Sequence, residues 1–91
     1  MATQSQQFLH YPLGHCTQGK TVEVTLSSAA NVQLLDANNF ALYKSGSQYR
    51  YHGGYVTKSP YRIRIPSDGN WHIAIDLGGA AGHVKASVQV I

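Results

Sequence analysis

Acidic side chains are scarce in this chain: Glu23, Asp36, Asp68 and Asp76 are the whole complement of 91 residues. That leaves little from which to assemble a catalytic constellation, and no Ser or Cys stands in a Gly-x-Ser-x-Gly type of nucleophile motif. Cysteine is rarer still. Cys16 is alone, so no intramolecular disulfide can staple the fold, and a disulfide-built secreted scaffold is excluded. No apolar run approaches the length of a membrane span. Met1 to Gln7 has neither the basic start nor the apolar centre of a signal peptide, so the expected compartment is the cytoplasm. Charged residues are only 12% of the chain, against 43% hydrophobic, which argues for a packed core and against disorder.

What the chain does have is alternation. From Ser59 to Gly79 apolar and polar residues alternate twice around a turn-forming Pro66-Ser67-Asp68-Gly69-Asn70. The pattern predicts a hairpin in which Tyr61, Ile63 and Ile65 pair with Ile75, Ile73 and Trp71, while Arg62, Arg64, His72, Ala74 and Asp76 face outward. Phe8 to Tyr11 reads as a short strand ended by Pro12. Thr21 to Leu26 reads as a strand with Val22, Val24 and Leu26 inward. Ala30 to Leu35 reads as another, its pattern broken at Leu35, where a bulge is expected. His83 to Ile91 reads as a closing strand. Gly53-Gly54 predicts a tight hairpin turn within Gln48 to Lys58, setting His52 against Tyr55 and placing Tyr49 and Tyr51 on the inner face.

Asp36 to Gly46 admits two readings. Asp36 and Gly46 suit the two caps of a single helical turn; a loop with one irregular turn, plugging the end of a sandwich, is the reading preferred here. Residues 1–7 are expected to be loose, and the Gly78 to Gly82 run to be a flexible turn. One domain over residues 8–91 follows, an all-β antiparallel β-sandwich, jelly-roll-like, of seven or eight short strands.

Five His and one Cys invite a test for zinc, but they include no Cys-x-x-Cys and no close His pair, so no metal and no cofactor is expected. His72 and Asp76 share a strand face and could be drawn as a catalytic pair with Arg64; they are more simply outward residues of a half-buried strand, and no enzyme is expected. The glycine run lacks the Lys-Ser/Thr that completes a phosphate-binding loop.

The stronger signal is the interleaving of bases and aromatics between Tyr43 and Arg64, the composition that stacks on rings and contacts phosphate or carboxylate. With the predicted register, Arg50, His52, Tyr55, Arg62, Arg64 and His72 form the outward, ligand-binding set. A solvated basic face is the competing explanation, since the chain carries +3. The partners this allows are a small ligand, an acidic polymer, a glycan or a protein, with single-stranded nucleic acid the weaker option. The last strand, charged only at Lys85, also suggests homo-oligomerisation through a sheet edge.

The pairs Asn31-Val32 and Leu35-Asp36, Gly53-Gly54, Ser59-Pro60, Gly69-x-Trp71 and Asp76-Leu77-Gly78-Gly79 resemble a small bacterial family of domains of unknown function, DUF1883. The resemblance covers nearly the whole chain from His10 onward. It implies a compact all-β domain, found alone or joined to TIR-type signalling domains, with a sensing or recruiting role in bacteria. It brings no catalytic or binding residues to carry over. The expected function is therefore a non-enzymatic binding or interaction module, with a structural, homo-oligomerising module as the alternative.

Overall fold

The computed structural model describes residues 8–78 and 82–91. The expectations for residues 1–7, and for the centre of the glycine run, lie outside them. Among the described residues, seven strands fall into two antiparallel sheets. The first has the order β1-β6-β3-β4, built from β1 (Leu9–Cys16), β6 (Gly69–Asp76), β3 (Ala30–Asp36) and β4 (His52–Val56). The second has the order β5-β2-β7, from β5 (Tyr61–Arg64), β2 (Thr21–Leu26) and β7 (Ala86–Val90). The sheets pack face to face. Val22, Val24 and Leu26 of β2 meet Val32 and Leu34 of β3 and Trp71, Ile73 and Ile75 of β6 in one buried cluster. The β-sandwich expected from the alternation is thus the architecture observed.

Several local expectations fail. First, β5 and β6 do not form a hairpin. β5 pairs with β2, Tyr61 opposite Val24 and Ile63 opposite Val22, whereas β6 lies between β1 and β3. The connection carries the chain from one sheet to the other: the Ile65 amide donates to the Lys20 carbonyl at 2.8 Å, and Asp68 Oδ1 accepts from the Gln18 amide at 2.7 Å. Period two reveals which residues face inward but not which strand lies beside them. Inward Ile65, Trp71, Ile73 and Ile75 are all buried as read, in a different pairing.

Second, Gly53-Gly54 is not a turn. Both lie inside β4, opposite Gln33 and Val32. Gly53 has φ +121°, and a Cβ there would collide with the Val32 carbonyl oxygen, so the absent side chain lets β4 sit close on β3. Tyr49 and Tyr51 consequently fall in the segment before β4 rather than on a hairpin arm.

Third, residues 37–45 are helical. α1 (Ala37–Ser45) begins at Asp36, whose Oδ1 accepts from the Asn39 amide at 2.8 Å. It ends at Gly46 (φ +79°), where the Gly46 amide donates to the Tyr43 carbonyl and the Ser47 amide to the Leu42 carbonyl. Its buried residues, Phe40 and Tyr43, rest on Leu35 and Ala74, on the sheet face turned away from the sandwich. That explains Leu35 without a bulge: β3 and β6 are covered on both faces where the helix lies. The bulge is in β1, where the register steps between Pro12 and Gly14, so Pro12 does not end that strand. The last strand is shorter than read, Ala86–Val90.

Candidate ligand-binding cleft

A cleft opens beside the core at one end of the first sheet. Leu34 stands opposite His52 and Ile73, and Asp36 opposite Trp71, so Leu34, Asp36, His52 and Trp71 share the inward side at this end. The segment leading from α1 into β4 walls the opening. It is held by a hydrogen bond from the Arg50 amide to Asn39 Oδ1 at 2.8 Å and by a run of rings: Tyr43 edge-on to Tyr49 (centroids 5.1 Å), and Tyr49 tilted against Tyr51 (5.7 Å). The result is a cleft of about 640 Å³ lined by Leu34, Asp36, Asn39, Tyr49, Arg50, Tyr51, His52 and Trp71. A second hollow of about 800 Å³ shares Asn39, Tyr49, Arg50 and Tyr51 and continues toward Asn38, Leu42 and Gln48.

Both volumes lie in the ordinary range for small-ligand sites. Trp71 is fixed by donating its indole N–H to the Ser67 carbonyl at 2.9 Å, and the His52 ring tilts toward it at 6.0 Å. Tyr51 is 47% exposed and offers its ring to solvent. Burial pushes the Tyr49 hydroxyl above the usual tyrosine range, so it stays a neutral donor and acceptor. Arg50 forms no ion pair among the described residues and is exposed. Asp36 spends one oxygen on the helix cap, Oδ1 also accepting from Asn39 Nδ2 at 3.1 Å. Rings, one free guanidinium and short polar groups therefore converge on one opening.

The six residues expected to form one outward set are divided among separate places. Arg50 and His52 line the cleft. Tyr55, 69% exposed, lies further along β4 opposite Asn31. Arg62 and Arg64 are on the other sheet, and Arg62 is engaged by Glu23, with Nη2 2.8 Å and Nε 2.9 Å from Oε2. Glu23 also accepts from Gln89 Nε2 at 2.7 Å; that bond first, then Arg62, holds its carboxyl below the usual range. Arg64 stands opposite Thr21. His72 is against the helix. The cleft adds Asp36, Asn39, Tyr49, Tyr51 and Trp71, which sequence reasoning assigned to a cap, a loop or the core. The available signal was Asp36 with Gly46: accepting both as helix caps would have brought Asn39 and the Tyr49–His52 segment to one end of the helix.

His72 and Asp76 do not form a pair. Asp76 lies on the outer face of β6 as read, but it is only 2% exposed; it accepts from the Tyr43 hydroxyl (2.7 Å), Asn31 Nδ2 (2.9 Å), the Gly78 amide (2.9 Å) and Gln33 Nε2 (3.3 Å). A buried carboxylate so supplied with donors is an anchor for the helix. Burial, and then the Asp76 contact, drives the Tyr43 hydroxyl far above its ordinary pKa. Arg64 is not across from His72, because their strands belong to different sheets. His72 Nδ1 lies 2.9 Å from His10 Nε2, and with ring centroids 5.1 Å apart the imidazoles sit edge to edge against Phe40. Burial lowers the pKa of both; His72 further lowers that of His10, and Lys44 lowers both. Among the described residues no group of three His, Cys, Asp or Glu side chains is placed to hold a metal ion, and no helix is long and apolar enough to cross a membrane.

Residues 6–91 match the family model described as domain of unknown function (DUF1883). No curated protein and no solved structure matches the chain.

Proposed function

The chain belongs to the DUF1883 family, and from that premise and the cleft we propose that it is a non-enzymatic binding module for a small acidic, ring-bearing ligand, best met by a uronic-acid sugar. The observation that carries this reading is the convergence of Tyr49, Tyr51 and Trp71 with Arg50, which forms no ion pair among the described residues, on one cleft of about 640 Å³. An aromatic face stacks on the apolar side of a sugar ring, a guanidinium takes a carboxylate in two parallel hydrogen bonds, and Asn39 and the second Asp36 oxygen suit hydroxyl groups. Arg62 and Arg64, on the other sheet, have no part in it. In this reading the domain senses or recruits rather than transforms its ligand, a role that would suit a bacterial protein joined to TIR-type signalling domains.

Calorimetric titration with a uronic-acid disaccharide tests the reading. Wild type should bind, and Arg50→Ala should weaken binding about tenfold or more. The neutral disaccharide of the same linkage should bind wild type more weakly, and Arg50→Ala should not affect that weaker binding. Equal affinity of wild type and Arg50→Ala for the acidic sugar would overturn the reading.

A further inference from the structure

Among the described residues the sandwich has four sheet edges, β1 and β4 on one sheet and β5 and β7 on the other. Three carry features that discourage strand pairing. β1 has Pro12 and a bulge, β4 has Gly53 and Gly54 with φ of +121° and +157°, and β5 is four residues long with Arg62 and Arg64. β7, Ala-Ser-Val-Gln-Val, has no charge, proline or glycine. We propose that the outer edge of β7 is a self-association surface on which two copies of this chain pair antiparallel about a two-fold axis at Gln89.

The register follows from the direction of the backbone bonds. Thr21 and Ile91 exchange both of theirs: the Thr21 amide donates to the Ile91 carbonyl at 3.2 Å and the Ile91 amide to the Thr21 carbonyl at 2.8 Å. At the other end the Ser27 amide donates to the Lys85 carbonyl at 2.9 Å. Odd-numbered residues of β7 therefore point their backbone groups at β2, and Ala86, Val88 and Val90 point theirs at the free edge. One of those groups is taken: the Tyr11 hydroxyl donates to the Ala86 carbonyl at 3.0 Å. The open groups are then concentrated at Val88 and Val90. Only a two-fold axis at Gln89 pairs these two with each other, Val88 against Val90 of the second copy and the reverse, closing four backbone hydrogen bonds. An axis at Val88 would instead press Ala86, already engaged, against Val90.

Side chains agree with that register. Val88 packs on the sandwich core and Val90 is 40% exposed, so each Val90 gains a Val88 neighbour on the inner face. On the outer face Ile91, 55% exposed, lies over Ser87 of the second copy, and Gln89 faces its own mate. No charged residue falls within the paired segment, which matters for two copies of a chain carrying +3 each. An isologous contact of this kind needs one patch that is complementary to itself, and this one is.

Sedimentation equilibrium over a wide range of protein concentration reads the association directly. The expected result is a monomer–dimer equilibrium that Val90→Pro weakens about tenfold or more, since it removes two interchain donors. The Val90 amide makes no bond to β2, so this variant should retain the fold by amide NMR. Gln89→Cys supplies a second readout. Across the two-fold axis the new thiols face each other and should join under mild oxidation into a disulfide dimer, with Ser87→Cys remaining largely monomeric. A single monomer mass at every concentration overturns the proposal, as does a dimer that folded Val90→Pro leaves unchanged. A dimer cross-linked through Ser87→Cys and not Gln89→Cys overturns the register.

Discussion

The Tyr43 hydroxyl donates to Asp76 Oδ2 at 2.7 Å, joining the helix to a carboxylate buried in the sheet beneath it. This bond holds the base of the aromatic run that continues through Tyr49 to Tyr51 and so to the cleft. Tyr43→Phe removes one of the donors to a buried charge, and urea denaturation should show a loss of about 1.5–3 kcal/mol. Asp76→Ala should cost more, because it leaves Asn31, Gln33 and Tyr43 without their acceptor.

Acid should destabilise the fold through His10 and His72. Both have folded-state pKa values below 6.5, so near pH 6 the unfolded chain binds more protons than the folded one. Their contribution is intact above about pH 6.5 and is lost as the pH falls through and below that value. Glu23 acts lower: its folded pKa is below 4.5, so its contribution persists until the pH falls through the carboxylate range. Thermal melts from pH 8 to pH 5 should show a falling Tm for wild type and a flatter profile for His10→Gln/His72→Gln.

Gly53→Ala should be costly although it adds one methyl group. The new Cβ would meet the Val32 carbonyl, and the φ of +121° is strained for any residue with a side chain. A loss of at least ~1–3 kcal/mol is expected, with amide exchange accelerated first in β4. A neutral result in both measurements would contradict the account of why glycine stands there.

Asp36→Ala separates the cap from the cleft. Losing the bond to the Asn39 amide should cost about 1 kcal/mol of stability. Asn39 also positions Arg50, so ligand affinity should fall with it, whereas Asp36→Ser, which retains a capping oxygen, should recover most of the stability.

How much of this was legible in the sequence depended on the kind of signal. Inward faces were readable because a half-buried strand alternates: Val22, Val24, Ile73 and Ile75 are buried as their spacing predicted. Pairing was not, because the same alternation suits any neighbour, and the run from Pro66 to Asn70 serves a crossing between sheets as well as a hairpin turn. The Gly53-Gly54 pair misled for a related reason: its freedom is used for close strand approach, not reversal. Leu35 looked like an irregularity because a helix covering the outer face is invisible to a two-sided strand pattern. The candidate site inherited these errors. Composition singles out Arg50 and His52, which line the cleft, whereas the placing of Asp36 and Asn39 there depends on the helix, and the expected hairpin brings Arg62 and Arg64 beside β6 although β5 belongs to the other sheet.

The most direct test of the cleft is an amide and indole NMR titration of the domain with a uronic-acid oligosaccharide at near-physiological salt. The account predicts saturable shifts confined to Asp36 to Asn39, Tyr49 to His52 and the Trp71 indole, lost in Arg50→Ala. Shifts centred on Arg62 and Arg64, or none at all, would contradict it.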